Sequence, residues 1–156
     1  MYKYSHTNED NSISLHDSRA AKISFDSGVL TFIFKDGFYV AERNVNNFHK
    51  KLCYTGRSEV GFKTLSKDID QDLTVYIFTE TDSEKRAIRD EISYAEFAQM
   101  LDSGMELEFL YAYKGYRSYV YECWLWFDKE PYHKECVLMI SADEAVYKWN
   151  ELFVEE

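Results

Sequence analysis

Nine aromatic side chains stand between Phe109 and Phe127: Phe109, Tyr111, Tyr113, Tyr116, Tyr119, Tyr121, Trp124, Trp126 and Phe127. Most are two residues apart, and a period of two places large rings on the faces of a pleated strand rather than along one stripe of a helix. The chain is therefore expected to fold around an aromatic-loaded β-sheet. Met105, Leu107, Phe109, Tyr111 and Tyr113 alternate with Glu106, Glu108, Leu110 and Ala112, Lys114-Gly115 turns the chain, and residues 116–127 return. On the return, Tyr119, Tyr121, Cys123, Leu125 and Phe127 share the face expected to be core. Tyr116, Ser118, Val120, Glu122, Trp124 and Trp126 share the other. Asp128 to Pro131 turns it again, and Cys136 to Ile140 forms a third strand.

The N-terminal half reads as further strands. Ile23 and Phe25 precede a turn at Asp26-Ser27-Gly28, and Leu30, Phe32 and Phe34 alternate after it. Lys35-Asp36-Gly37 then reads as a hairpin loop. A three-residue bulged loop with Gly37 left-handed pairs Phe34 with Phe38 and Phe32 with Val40, keeping one face apolar. Residues 44–56 read either as a short helix capped by Asn44 or as a loop. Val60 and Phe62 suggest a short strand, Leu73 to Phe78 a clear one, and Arg86 to Ile92 a weaker one after an acidic turn at Glu80 to Glu84.

Two helix starts share one signature. Ser93 with Glu96, and Ser141 with Glu144, both fit the reciprocal cap in which a serine hydroxyl and a glutamate satisfy free amides. Ile92 and Phe97 add a staple at the first site, and Tyr94, Phe97, Ala98 and Leu101 form its stripe. A single long helix from Ser83 is disfavoured, because Ile88 and Ile92 fall out of phase with that stripe. The second helix would bury Ala142, Ala145, Val146, Trp149 and Phe153. The expected class is α+β: a mostly antiparallel, strongly twisted or partly closed sheet of about seven to nine strands with two short helices. Residues 1–11 are expected as a loose tail and residues 12–156 as a single domain.

Charge narrows the function. With 18 basic and 28 acidic side chains the formal net charge is −10, and no basic run exceeds two residues. Nucleic-acid affinity comes largely from Lys and Arg on phosphates, so nucleic acid is a poor partner, and anionic membranes are disfavoured for the same reason. A basic protein partner suits the field. No run approaches 18 apolar residues, and the first dozen residues are polar, so neither a spanning helix nor a signal peptide is expected. Cys53, Cys123 and Cys136 make an odd count without C-x-x-C, which fits free thiols in a reducing, cytoplasmic compartment. Cys123 and Cys136 should nearly face each other across the turn near residue 130, as buried thiols rather than a disulfide.

No catalytic pattern stands in the sequence: G-x-S-x-G, H-E-x-x-H, G-x-G-x-x-G and the P-loop are all lacking. Asp68, Asp70 and Asp72 begin like a calcium loop, but Leu73 holds the place of its glycine and Thr79 that of its glutamate, so a solvated loop is expected. His16 and Asp17, adjacent on a strand, would point apart. His133 near Cys136 lacks partners at metal-ligand spacing, Cys53 lacks a base, and no metal or cofactor is expected.

Three readings follow. The first is a non-enzymatic, acidic, intracellular protein-binding module, similar in composition to small immunity-type inhibitors and accessory proteins, with Tyr116, Glu122, Trp124 and Trp126 as its binding residues. The second is a small-ligand-binding, barrel-like protein with an aromatic cavity. The third is an enzyme assembled from His16, Asp17, Glu122 and His133. Whether Trp124 and Trp126 lie open or covered separates the first from the rest.

Overall fold

A computed structural model describes residues 1–81 and 86–156. In chain order the elements are β1 (Tyr4–His6), β2 (Ile13–Ser14), β3 (Ser18–Asp26), β4 (Val29–Phe34), β5 (Tyr39–Val40), β6 (Cys53–Tyr54), β7 (Ser58–Thr64), the helical turn α1 (Ile69–Asp72), β8 (Leu73–Thr81), β9 (Arg86–Ile92), α2 (Tyr94–Asp102), β10 (Glu106–Gly115), β11 (Ser118–Trp126), β12 (His133–Trp149) and β13 (Phe153–Val154). The acidic turn expected at Glu80 to Glu84 falls mostly outside the described residues.

Nine strands make one antiparallel sheet in the order β11-β10-β3-β4-β7-β12-β8-β9, with β1 added beside β12. Strand β12 pairs with β11 as well as with β7, which closes six strands into a barrel and leaves β8 and β9 as an extension. Four short strands, β13-β6-β5-β2, form a second sheet. The α+β architecture with a closed, twisted sheet and two short helices is the one the alternation implies.

The interior is aromatic. Phe32 meets Phe62 and Phe109 edge-to-face at 5.8 and 5.5 Å, and Tyr121 meets Phe109 at 5.0 Å. Edge-to-face contact places positive ring edges on negative faces and adds about 0.5–1.5 kcal/mol per pair beyond area burial. Phe34, Phe38, Tyr147 and Trp149 extend the cluster toward the second sheet. Helix α2 packs against β3 and β8 with Phe97 and Leu101 buried. Its Ser93 cap forms as expected, the hydroxyl accepting from the Glu96 N–H at 3.2 Å.

Several expectations are corrected. Residues 1–11 are not a loose tail: β1 pairs Tyr4 with Trp149 and His6 with Tyr147. Residues 141–149 are not a helix but the second half of β12. A bulge between Ala142 and Glu144 shifts the register, so Ile140 and Ala142 are buried before it and Ala145, Tyr147 and Trp149 after it. That break converts a period of two into an i, i+3 step, which imitates a helical stripe.

Lys35 to Gly37 does not join a hairpin either. Strand β5 leaves β4 and pairs with β2 and β6 instead. Leu30, Phe32, Phe34, Phe38 and Val40 are all buried as the face argument required, and Gly37 is left-handed at φ 85°. Those residues serve a crossover between two sheets, not a turn within one. Residues 44–52 are a loop, while Asp68 to Asp72 form a helical turn rather than a solvated loop. There Asp68 caps α1, Asp70 accepts from the Tyr94 N–H at 2.9 Å, and buried Asp72 accepts from the Ser66 N–H at 2.6 Å.

Candidate functional site: an aromatic sheet face and the cleft beside it

The outer face of the β10-β11-β12-β8-β9 region carries the residues singled out from sequence. Register sets three lateral rows: Tyr113, Val120, Met139 and Thr74; then Tyr111, Glu122, Val137, Tyr76 and Glu91; then Glu108, Trp124, Glu135, Phe78 and Arg89. Trp126 lies next along β11, between Glu106 and His133. Among the described residues, no helix and no second sheet packs over these rows; the helices contact β3, β8 and β12, and α2 turns Phe97 and Leu101 into the core. Tyr111 is 57% exposed, Tyr113 56%, Met139 44% and Trp124 36%.

Alternation continued from Leu107 and Phe109 would put Tyr111 and Tyr113 on the same face as those two. A bulge between Phe109 and Tyr111 displaces the register, so Leu107 and Phe109 stay buried while the two tyrosines turn outward to face Glu122 and Val120. An inserted residue flips every later side chain to the opposite face.

One end of the face is locked. His133 lies against Trp124 and Trp126 with ring centroids 4.5 and 4.8 Å away. The Arg19 guanidinium lies 4.5 Å over the Trp126 ring, the Trp126 indole N–H donates to Glu108 at 2.8 Å, and Arg19 also reaches Glu106 and Glu108 at 3.6 Å. Trp126 thus has its polar handle and one ring face engaged internally, whereas Trp124 keeps an open side. Toward the other end, no cation among the described residues lies within ion-pair distance of Glu122 or Glu135. Tyr116 stands in the two-residue turn after β10, fully outward, with Arg117 over its ring at 5.4 Å. Arg117 is held in turn by Asp143 at 3.2 Å.

The residues proposed for an enzyme separate into two groups. His16 and Asp17 do touch, at 3.4 Å, because Asp17 is left-handed at φ 61° rather than extended. The other His16 nitrogen faces the Leu110 carbonyl at 2.5 Å. His133 lies tilted against both tryptophan rings instead. Cys123 and Cys136 face each other across β11 and β12 as free thiols. Burial pushes the Cys136 thiol up to about 12 and holds Cys123 well above its ordinary range. Cys53 is likewise raised by burial, so none of the three is an activated nucleophile. Among the described residues no cluster of His, Cys, Asp or Glu is placed to hold a metal ion.

Sequence reasoning missed a cleft of about 610 Å³ along the free side of β10. Its floor holds Tyr119, Tyr121 and Tyr147, whose hydroxyl pKa values are raised chiefly by burial. One bank is Tyr111 to Lys114; the other is residues 11–16. Its only sequence trace was the tyrosine spacing, which cannot report where two elements diverge. Compared with protein-family models, curated proteins and solved structures, the chain matches none.

Proposed function

We propose that the protein is a non-enzymatic binding module that docks a cationic protein partner on the outer face of β10, β11, β12 and β8. One observation carries this reading. Tyr111, Tyr113, Trp124 and Met139 stay open on adjacent strands, interleaved with Glu122 and Glu135, which have no cation within ion-pair distance among the described residues. Uncovered aromatics of this kind are uncommon on a monomer surface without a partner. Tyrosine and tryptophan supply large contact area at low rotamer cost, and carboxylates between them select cationic residues. The net charge of −10 steers such a partner at long range. Three unpaired thiols fit a cytoplasmic setting.

The test is affinity capture from native lysate followed by binding of the captured protein to variants. Trp124→Ala with Tyr113→Ser should weaken it by at least 2 kcal/mol, about thirtyfold, while the lost contacts of Trp124 with His133 and Trp126 lower folding stability by only about 1 kcal/mol. Glu122→Gln with Glu135→Gln should slow association and flatten its salt dependence. Capture that enriches nothing, or binding indifferent to both pairs of changes, removes the basis of the reading. A small-ligand role has one support of its own, since the cleft volume lies within the usual range of ligand sites.

A further inference from the structure

The nine-stranded sheet has a gap beside β10. Strand β3 pairs with β10 only at Leu107, Glu108 and Phe109. Just past them, Asp17 N–H takes the Phe109 carbonyl at 2.8 Å and His16 takes that of Leu110. From Tyr111 to Gly115, β11 is the one pairing partner among the described residues. Residues of a strand send their amide groups alternately to either side, so this stretch directs every second N–H and C=O away from β11. That unpaired edge borders the 610 Å³ cleft. The far bank includes β2, the edge of the four-stranded sheet, where the Asn8 side chain already holds the Ile13 N–H and C=O, so that β10 supplies the open backbone.

We propose that the cleft binds an extended polypeptide segment, added as a strand along Tyr111–Gly115 and lying between the edges of β10 and β2. Five residues of edge span about 17 Å, room for a short strand. Backbone hydrogen bonds supply affinity in this mode, and alternate side chains supply selectivity. Ala112 and Lys114 share a face with Tyr121 and Tyr119. The side chains of an added strand that point inward therefore rest on the tyrosine floor with Tyr147, which selects apolar or aromatic residues at every second position. The intervening side chains emerge beside Tyr111 and Tyr113 and are free to be polar. The site adjoins the outer face at Tyr111 and Tyr113 but rests on other groups: it uses the backbone edge of β10 and the tyrosine floor, not Trp124 or Glu122.

The experiment selects from a display library of random ten-residue peptides against the intact chain. Selected peptides should carry alternating apolar residues, and binding should protect amides within Tyr111–Gly115 from hydrogen exchange by tenfold or more. Methylating the peptide's backbone nitrogens at alternate positions should abolish binding, and methylating the positions between should not. Ser14→Trp, which fills the cleft from the β2 bank without touching β10, should reduce affinity at least tenfold, whereas Trp124→Ala should leave it unchanged. The proposal is overturned if no peptide is selected, if protection falls elsewhere, or if Ser14→Trp has no effect. It is equally overturned if the same amides become protected through concentration-dependent self-association without peptide, because the occupant is then a second copy of the chain.

Discussion

Gly37 sits where the chain leaves the nine-stranded sheet for the smaller one, and Gly28 sits in the turn between β3 and β4. Both are left-handed, at φ 85° and φ 76°. A Cβ at Gly28 meets nothing within 4 Å, whereas one at Gly37 would overlap the Gly56 carbonyl and the Thr55 hydroxyl and lie 2.7 Å from the Gly56 nitrogen. The pair of substitutions Gly28→Ala and Gly37→Ala therefore separates backbone strain from steric overlap. The left-handed conformation costs an L-residue about 1–2 kcal/mol, and restricting the unfolded chain returns roughly 0.4–1 kcal/mol. Gly28→Ala should then destabilise by about 1 kcal/mol. Gly37→Ala carries the same strain plus about 1–3 kcal/mol of overpacking, since its neighbours are backbone atoms and a hydroxyl that holds the Phe38 N–H at 3.1 Å. A total of roughly 2–4 kcal/mol lowers the melting temperature by about 5–15 °C in a chain of this size. Urea denaturation at constant m-value reads both. If the two variants lose the same stability, the close approach of residue 37 to Thr55 and Gly56 is not real, and the junction between the sheets is built otherwise.

Asp72→Ala removes the acceptor of the Ser66 N–H and should cost about 1–3 kcal/mol in urea denaturation, with Asp72→Asn nearer the lower end. Glu108→Ala frees the Trp126 indole N–H and removes one of the two carboxylates at the Arg19 guanidinium; the expected result is a red-shifted tryptophan emission and a loss of about 1–3 kcal/mol. The buried thiols give a pH prediction. Their folded pKa values lie above the unfolded value near 9, so the folded state keeps protons that the unfolded state releases. Stability is intact below about pH 9 and falls as pH rises toward about 12, by roughly 1.4 kcal/mol per pH unit for each thiol. Cys123→Ala with Cys136→Ala should flatten that slope in denaturation series at pH 8, 9 and 10, and an unchanged slope would show that the thiols ionise freely in the fold.

Legibility in the sequence followed the range of the signal. The β3–β4 turn, the Ser93 cap and the near-opposition of Cys123 and Cys136 rest on residues close in the chain or on one turn, and each appears in the structure. The burial of Leu30 through Val40 was readable because burial depends on side-chain alternation. The partner of β5 was not, because Asp36-Gly37 specifies a reversal of direction without saying which strand waits beyond it. The acidic run at Asp68 to Asp72 failed for a related reason. Its carboxylates bond to backbone amides at Ser66, Asp70 and Tyr94, and a hydrogen bond to a residue 24 positions away leaves no periodic trace.

The bulges in β10 and β12 explain both the largest misreading and the proposed sites. The bulge in β12 falls where the strand passes from β11 and β8 to β7, and without a shift at Ala142 one strand could not serve both sides of a closed barrel while keeping its apolar residues inward. The bulge in β10 falls where β3 turns away. A strand that simply continued its alternation would carry Tyr111 and Tyr113 inward over Tyr119 and Tyr121, filling the cleft with rings of its own. By turning them outward, the inserted residue leaves Ala112 and Lys114 on the inner side, keeps the floor open, and adds two tyrosines to the outer face. The inserted residue gives up ladder pairing with β11 at that point, while Asp17 and His16 take up the Phe109 and Leu110 carbonyls and the Tyr111 ring lies 5.8 Å from that of His16. Deleting Leu110 tests the point directly. The shortened strand should bury the two tyrosines, close the cleft and reduce tyrosine accessibility to nitration, with the fold retained. A deletion variant that keeps both rings accessible would show that something other than the bulge sets their direction.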